Sequence, residues 1–291
     1  QSAHRGRILT LDVDTEMRPG HYKMDYGAIV ERHQSARAAL TIACIEVPLE
    51  IAPELGTMEI DEDCRIVGFE EKPAEPRPLP GSTTHALASM GVYVFDADVL
   101  ARAVSEDAKR DSAHDFGKNI IPAVVEEGQA FAFNFKDGNR NPTVYWRDIG
   151  LLDAYWQAHM DLVAPDPPFD LFDTSWPVRT YNPPCPPTAI AGDKSGARNS
   201  LVSGGCLIRH ADVDRSVLSN RVTVEKGARV GESVLLERAV VETGAEVHRA
   251  IIDKGVRVSS RTRIGTDPVA DRERFAVTRA GVVVVPKGMT L

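Results

Sequence analysis

Four short stretches carry side chains able to handle a phosphorylated, hydroxyl-rich ligand and a metal ion. Gly68–Pro73 reads GFEEKP. Its Glu71 can accept hydroxyl hydrogens while the Lys72 ammonium holds a phosphate, so the pair suits a sugar phosphate; a solvated charged turn would use the same residues. Tyr145–Gly150, YWRDIG, sets Asp148 where an apolar segment meets a helix, a place for a carboxylate to bind Mg²⁺ or to cap the helix. Ser112–Lys118, SAHDFGK, offers Asp115 near a helix start, where capping alone also accounts for it. Leu87–Tyr93, LASMGVY, puts small residues, Ser89 and Gly91 among them, near a strand start, which permits close approach of a ligand or plain packing.

The elements that must position these residues follow from periodicity. After the apolar run Ile8–Leu11, the stretch RPGHYKMDYGAIVERH (Arg18–His33) opens on a proline-glycine turn that often holds a ligand. From Asp25 to about Ala38, Tyr26, Ile29, Val30 and Ala36 make one helical face with Asp25 as N-cap. Leu40–Val47 reads as a strand covered on both faces, and Thr57–Ile60 with Arg65–Phe69 as a hairpin around Asp61–Asp63. Strands are also expected at Ala88–Phe95 and Gln129–Phe135. Helices are expected from about Asp96, over Asp115–Glu127 with Pro122 as an irregularity or early break, and over Gly150–Leu162. Strands alternating with helices predict an α/β domain with a mainly parallel sheet over residues 1–162.

Prolines then accumulate, from Pro165 to Pro187, predicting an extended connector over 163–198 that packs through Phe169, Leu171, Phe172 and Trp176. Residues 199–291 carry a different signal. Small or apolar residues recur in pairs two apart: Val222/Val224, Ala228/Val230, Val234/Leu236, Ala239/Val241, Ala245/Val247, Ala250/Ile252, Val256/Val258 and Thr262/Ile264. The pairs step by 6, 6, 5, 6, 5, 6 and 6 residues, which predicts a parallel β-helix of hexapeptide repeats with occasional corner slips.

The chain has 291 residues, 26% charged and 43% hydrophobic, as in ordinary globular proteins. A net charge of -8 with no basic block argues against nonspecific nucleic-acid binding. Cys44, Cys64, Cys185 and Cys206 are widely spaced, and Cys44 reads as a buried reduced thiol. No stretch has the apolar length of a membrane span and no signal-peptide core opens the chain, so a cytoplasmic protein is expected.

Taken in order, HYKMDYG, GFEEKP, LASMGVYVF, HDFGKNIIP, YWRDIG, DAYWQAHMDL, WPVRTY, NSLVSGGC, AIIDKGV and DRERF resemble the bacterial ADP-glucose pyrophosphorylases, the glucose-1-phosphate adenylyltransferases. The resemblance runs from about Gly20 to the C-terminus. It implies a GT-A/Rossmann-like nucleotidyltransferase domain, lacking its first part, followed by a left-handed β-helix. It also implies glucose 1-phosphate contacts at Glu71, Lys72, Ser89 and Gly91, a sugar-side role for Asp115, a metal ligand at Asp148 and Trp146 packed beside the site. Lys72 and Asp148 would act in catalysis, with ATP and glucose 1-phosphate as substrates and Mg²⁺ as cofactor. A homotetramer or a hetero-oligomer with a related subunit, allosteric control and a place in glycogen synthesis are implied by the resemblance alone.

Two family features lack a counterpart in the sequence as written. Nothing before Arg18 matches the family's glycine-rich GGxGxRL loop, and Gly20 is followed by His21 where the family turn GDHIYKMDY carries a metal-binding Asp. Asp12 or Asp14, after the apolar run, are the stand-ins available. The chain is thus expected to be an N-terminally incomplete adenylyltransferase, with its activity as written left open by the two missing features. Two further readings stand beside adenylyl transfer. One is a non-catalytic paralogue or regulatory subunit that binds sugar phosphate; the other is a hexapeptide-repeat acyltransferase using His210 or His248.

Overall fold

The computed structural model describes residues 8–12, 21–138, 145–168, 170–177, 183–193, 195–289 and 291. The chain divides into two compact units, Gln1–Trp146 and Arg147–Leu291.

In the first unit the chain forms β1 (Ile8–Asp12), α1 (Tyr26–Ala36), β2 (Leu40–Pro48), β3 (Gly56–Ile60), β4 (Ile66–Glu71), β5 (His85–Asp96), α2 (Ala97–Asp107), α3 (Ile121–Glu126) and β6 (Ala130–Asn134). Helix α1 begins where the sequence places it, with the Asp25 carboxylate accepting from Gly27 N at 2.9 Å. Asp96 caps α2 in the same way.

The sheet runs β4-β3-β5-β2-β6, with β1 pairing the far end of β5. It corrects the expectation of a mainly parallel sheet. β1, β2 and β3 each pair antiparallel with β5, as β3 does with β4, and only β2 and β6 run parallel. The reason lies in β5, which sits between β3 and β2 and runs opposite to both, while the short turn 61–65 can join only the antiparallel neighbours β3 and β4. The excursion through α2 and α3 carries the chain from β5 past β2 to the edge, where β6 joins parallel to β2.

Both faces of the sheet are covered, which accounts for the unbroken apolar run of β2. Leu40, Ile42 and Cys44 pack with Phe95, Ile121 and Val124 on one side. Ala43, Ile45 and Val47 pack with Met24, Ile29 and Phe135 on the other. Cys44 is buried and unbridged, as expected, its thiol donating to Phe133 O at 3.3 Å.

The second unit is a parallel β-helix preceded by a helix, α4 (Leu152–Leu162). Three ladders of short parallel strands stack coil on coil, and the inward residues Val213, Val230, Val247 and Ile264 advance by 17 residues per turn. The first strands, Ala189–Ala191 and Gly196–Arg198, fall inside the segment expected to be connector. At one corner Ser200, Ser216 and Ser233 form a ladder of their own. Each Oγ donates to the carbonyl two residues back, Arg198, Asp214 and Gly231, at 2.6–2.8 Å. Each also accepts the N–H one coil on, from Ser216, Ser233 and Ala250, at 3.1 Å.

The ladder corrects one pair in the repeat. The inward residues of its strand are Ser233 and Leu235, both fully buried, not Val234 and Leu236. Val234 points outward and is buried there with Ile251 and Val282 under Trp156, Met160 and Val163. Trp156 Nε1 donates to Glu232 O at 2.7 Å, and the Arg249 guanidinium stacks 4.4 Å from the indole. Helix α4, expected to close the first domain, thus packs on the coil within the second unit.

Candidate functional site

Strand β4 ends at Glu71, and the next residue turns sharply: Lys72 takes φ 53°, and its N–H donates to Leu55 O at 3.1 Å. This left-handed step lets a lysine follow directly on a half-buried carboxylate. Glycines leave room for that carboxylate. A Cβ on Gly56 or on Gly117 would stand 2.6 Å from Glu71 Oε2.

Gly117 reaches Glu71 because of how the SAHDFGK segment folds. Asp115 Oδ1 accepts from Lys118 N at 2.8 Å, and Asp115 N donates to Asn119 Oδ1 at 3.1 Å. The capping role read from the sequence is therefore present. It starts a single wide turn, Phe116–Ile120, which runs into α3 with Pro122 in its first turn, so Pro122 marks an irregularity.

Charge converges at this corner. Burial pushes the Glu71 carboxyl above the ordinary carboxylate range; the Lys72 ammonium opposes this, Asp115 reinforces it and Lys118 opposes it. The Tyr93 phenol is pushed up to about 12, chiefly by burial, against a hydrogen bond from Ser89 and with Glu71 and Asp115 adding to the rise. Glu71 thus feels two ammoniums and a second carboxylate beside a buried phenol and the tilted ring of Phe116, whose centroid lies 6.1 Å from that of Tyr93.

Ser89 and Gly91 sit on β5 where the pairing with β2 slips between Ile42 and Cys44. Gly91 takes φ 78° at this bulge and its N–H donates to Ser89 Oγ at 3.2 Å, while Ser89 Oγ donates to Tyr93 Oη at 3.1 Å. The small residues therefore shape the strand and anchor Tyr93.

The remaining expected residues lie elsewhere. Trp146 packs in the layer with Met24, Ile29 and Phe133, across the sheet from Phe116 and Tyr93; its indole Nε1 is buried with no hydrogen-bond partner among the described residues. Asp148 belongs to the second unit and is exposed, with Oδ1 accepting from Gly150 N at 3.0 Å. It does not cap α4, whose N-cap is Leu151. Its neighbours are anchored: Ile149 is buried, and Arg147 Nε donates to Asp161 Oδ2 on α4 at 2.9 Å.

Among the described residues no three His, Cys, Asp or Glu side chains cluster as metal ligands. Asp12 pairs with Val92 through the backbone at the end of β1, and Asp14 lies outside the described residues. His210 and His248, the acyltransferase candidates, are exposed on the coil, His210 at a left-handed corner.

Lys118 and Gly117 were missed from the sequence. The signal lay in the motif itself, where a capping Asp is followed two and three positions on by Gly and Lys. Tyr93 likewise stood inside LASMGVY without being singled out.

Comparison with known proteins also divides the chain in two, at a later boundary. Residues 20–164 match the nucleotidyl transferase family, and 186–285 match the GlmU-like C-terminal hexapeptide family. Glucose-1-phosphate adenylyltransferase 1 of Vibrio vulnificus (strain YJ016) is 41% identical over 274 residues, covering 92% of this chain and 68% of the relative. The chain belongs to the glucose-1-phosphate adenylyltransferase family. Glucose-1-phosphate adenylyltransferase 2 of Alkalilimnicola ehrlichii is 42% identical over 92% of the chain and 64% of its own length. The adenylyltransferase of Photobacterium profundum is 40% identical over 92% and 68%. The chain thus spans about two thirds of the length of these adenylyltransferases. The nucleotidyl transferase match extends through α4, so this family's transferase pattern includes the helix that packs on the coil.

Proposed function

We propose that the chain carries adenylyl transfer from ATP to glucose 1-phosphate, giving ADP-glucose and pyrophosphate. The observation that supports it best is the close approach of the Asp115–Lys118 turn to Glu71, whose Oε2 would lie 2.6 Å from a Cβ on Gly117, with Lys72 next in the chain. Carboxylates there can accept sugar hydroxyls, and ammoniums can hold a phosphate, which is the pairing a sugar phosphate requires.

In this reading Lys72 holds the sugar phosphate, Glu71 and Asp115 orient the hexose, and Tyr93 with Ser89 forms a fixed wall behind them. A phosphate oxygen of glucose 1-phosphate attacks the α-phosphorus of ATP. The bond from that phosphorus to the bridging oxygen breaks, and pyrophosphate leaves with the electron pair. The protein contributes positioning and charge neutralisation rather than a nucleophile of its own.

Asp148 is the residue proposed to hold Mg²⁺. An exposed carboxylate with oxygen donors fits an ion that keeps several waters and binds through one or two carboxylates plus substrate phosphates. Mg²⁺ supplies charge neutralisation on the phosphates. The same reading makes the product a glucosyl donor for glycogen synthesis in the cytoplasm, with an oligomeric, allosterically controlled assembly. No helix among the described residues is long and apolar enough to cross a membrane.

Incubation of the protein with ATP, Mg²⁺ and glucose 1-phosphate should release ADP-glucose and pyrophosphate in equal amounts. In calorimetry Lys72→Ala should weaken glucose 1-phosphate binding by roughly tenfold or more while sparing ATP, because it deletes a charge-assisted hydrogen bond to the sugar phosphate. Equal losses for both ligands would remove Lys72 from its role. Sugar-phosphate binding without turnover would favour a non-catalytic paralogue.

A further inference from the structure

Four residues other than glycine take positive φ among the described residues of the first unit: Arg37, Cys64, Lys72 and His114. Two of them close an element. Arg37 is the C-cap of α1, and Cys64 sits in the β3–β4 turn, where Asp61 Oδ1 collects the N–H groups of Asp63 and Arg65. The other two, Lys72 directly after the last residue of β4 and His114 directly before Asp115, lie at the charged corner. Backbone of this kind persists only where its surroundings enforce it, and it gathers at ligand sites.

The enforcement at His114 is visible. Its φ is 52°, and its Nδ1 lies 2.8 Å from Asp107 Oδ2 at the end of α2. Its backbone N–H donates to Ser112 Oγ at 3.1 Å, and that hydroxyl donates to Asp107 Oδ1 at 2.8 Å. Both carboxylate oxygens of Asp107 are thereby engaged, and its side chain is only 12% exposed, whereas that of His114 is 57% exposed. The imidazole fills no core; its contacts serve the backbone beneath it. Directly after it come Asp115 and the wide turn that lays Gly117 against Glu71.

We propose that His114 is a positioning residue for the sugar-phosphate site, held by Asp107 and Ser112 in the left-handed conformation that aims Asp115 and Gly117 at Glu71. The inference rests on the sugar-phosphate reading of that corner and adds a residue to it. It requires no proton or group transfer by His114 itself.

The test is calorimetric binding of glucose 1-phosphate and, separately, of ATP to the full chain, with a thermal melt of each variant. His114→Ala and Asp107→Ala should weaken glucose 1-phosphate binding by about tenfold and leave ATP unchanged. His114→Asn should restore most of the affinity, because asparagine tolerates positive φ and its amide can donate to Asp107. Wild-type affinity in both alanine variants would overturn the proposal. So would parallel loss of both ligands with a lowered melting temperature that His114→Asn does not repair, since that marks a merely structural role. Lys72→Ala run alongside separates the two readings. If it binds glucose 1-phosphate like wild type, the sugar-phosphate assignment fails, whatever the His114 variants do.

Discussion

Positive-φ residues other than glycine occur in both units, and they mean different things in each. In the coil they recur at fixed corners: Arg215, Glu232 and Arg249 follow one another at 17-residue intervals, with Arg221 and Arg238 at another corner. There the conformation is part of the repeat, and almost any side chain is carried through it because the neighbouring coil supplies the hydrogen bonds. In the first unit Lys72 and His114 have no such periodic neighbour, and each stands beside a group of the charged corner. Strain that repeats builds the coil, while in the first unit it closes elements at Arg37 and Cys64 and stands at the charged corner at Lys72 and His114.

Substitutions can break this contrast or sharpen it. The largest effect belongs to the coil core: Val241 is fully buried, so Val241→Asp should cost upwards of about 4 kcal/mol in urea denaturation, a charge having no partner there. A loss near zero would mean that the coil is not a packed solenoid.

Next comes a matched pair of glycine changes. Gly117→Ala should lower glucose 1-phosphate affinity roughly ten- to hundredfold by calorimetry, with the fold kept, because the new methyl meets Glu71 Oε2 at 2.6 Å and Cδ at 2.9 Å. Gly244→Ala, at a coil corner with φ 70°, should instead cost about 1 kcal/mol of stability and leave binding alone. If both changes behave alike, the distinction between the units collapses.

Ser216→Ala removes one rung of the serine ladder, a donor to Asp214 O and an acceptor for Ser233 N, and should cost about 1–2 kcal/mol in the same denaturation experiment. The smallest effect concerns Glu71. Its pKa is raised in the folded protein, so its ionised form opposes folding at pH values above the ordinary carboxylate range. Glu71→Gln should therefore raise the melting temperature by about 1–3 °C at neutral pH. That gain should vanish as pH falls through the raised pKa and then the ordinary one, since the wild-type group is then neutral in both states. The same variant should bind glucose 1-phosphate more weakly, separating the function of the charge from its cost.

Much of the organisation was legible because the two units use different periods. The near-six step of paired apolar residues identified the coil, and Asp25 and Asp115 announced their capping roles. One pair slipped because helix α4 covers the outside of one ladder, so Val234 and Ile251 are as apolar as the residues facing in. Two frames then satisfy the same pattern, and only Ser233, polar yet fully buried, tells them apart. Strand direction was misjudged for another reason: alternating helix and strand patterns give the order of elements but not which strands become neighbours.

At the site, Glu71, Lys72 and Asp115 stood out by residue type within their motifs. Lys118 and Gly117 did not, since their place depends on a wide turn that ordinary helical spacing does not anticipate. The buried Ser89–Tyr93 bond depends in turn on a bulge marked only by one glycine.

The serine ladder sets a rule for how this molecule can change length. Each rung leads straight into an apolar strand residue, and Ser216-Val217 has the same form as Ser233-Val234. Removing residues 217–233 would join Ser216 to Val234 and hand the hydroxyl of Ser216 to the N–H of Ala250, the partner that Ser233 now serves. A single residue can be lost where a corner absorbs it: Ser200 and Ser216 stand 16 residues apart, Ser216 and Ser233 17, and both rungs carry the same bond. Coils of this kind are therefore counted in whole turns, 16 residues from Leu201 to Val217 and 17 from Val213 to Val230: an insertion or deletion is tolerated as a complete turn, as a one-residue slip at a corner, or as a loop carried outward.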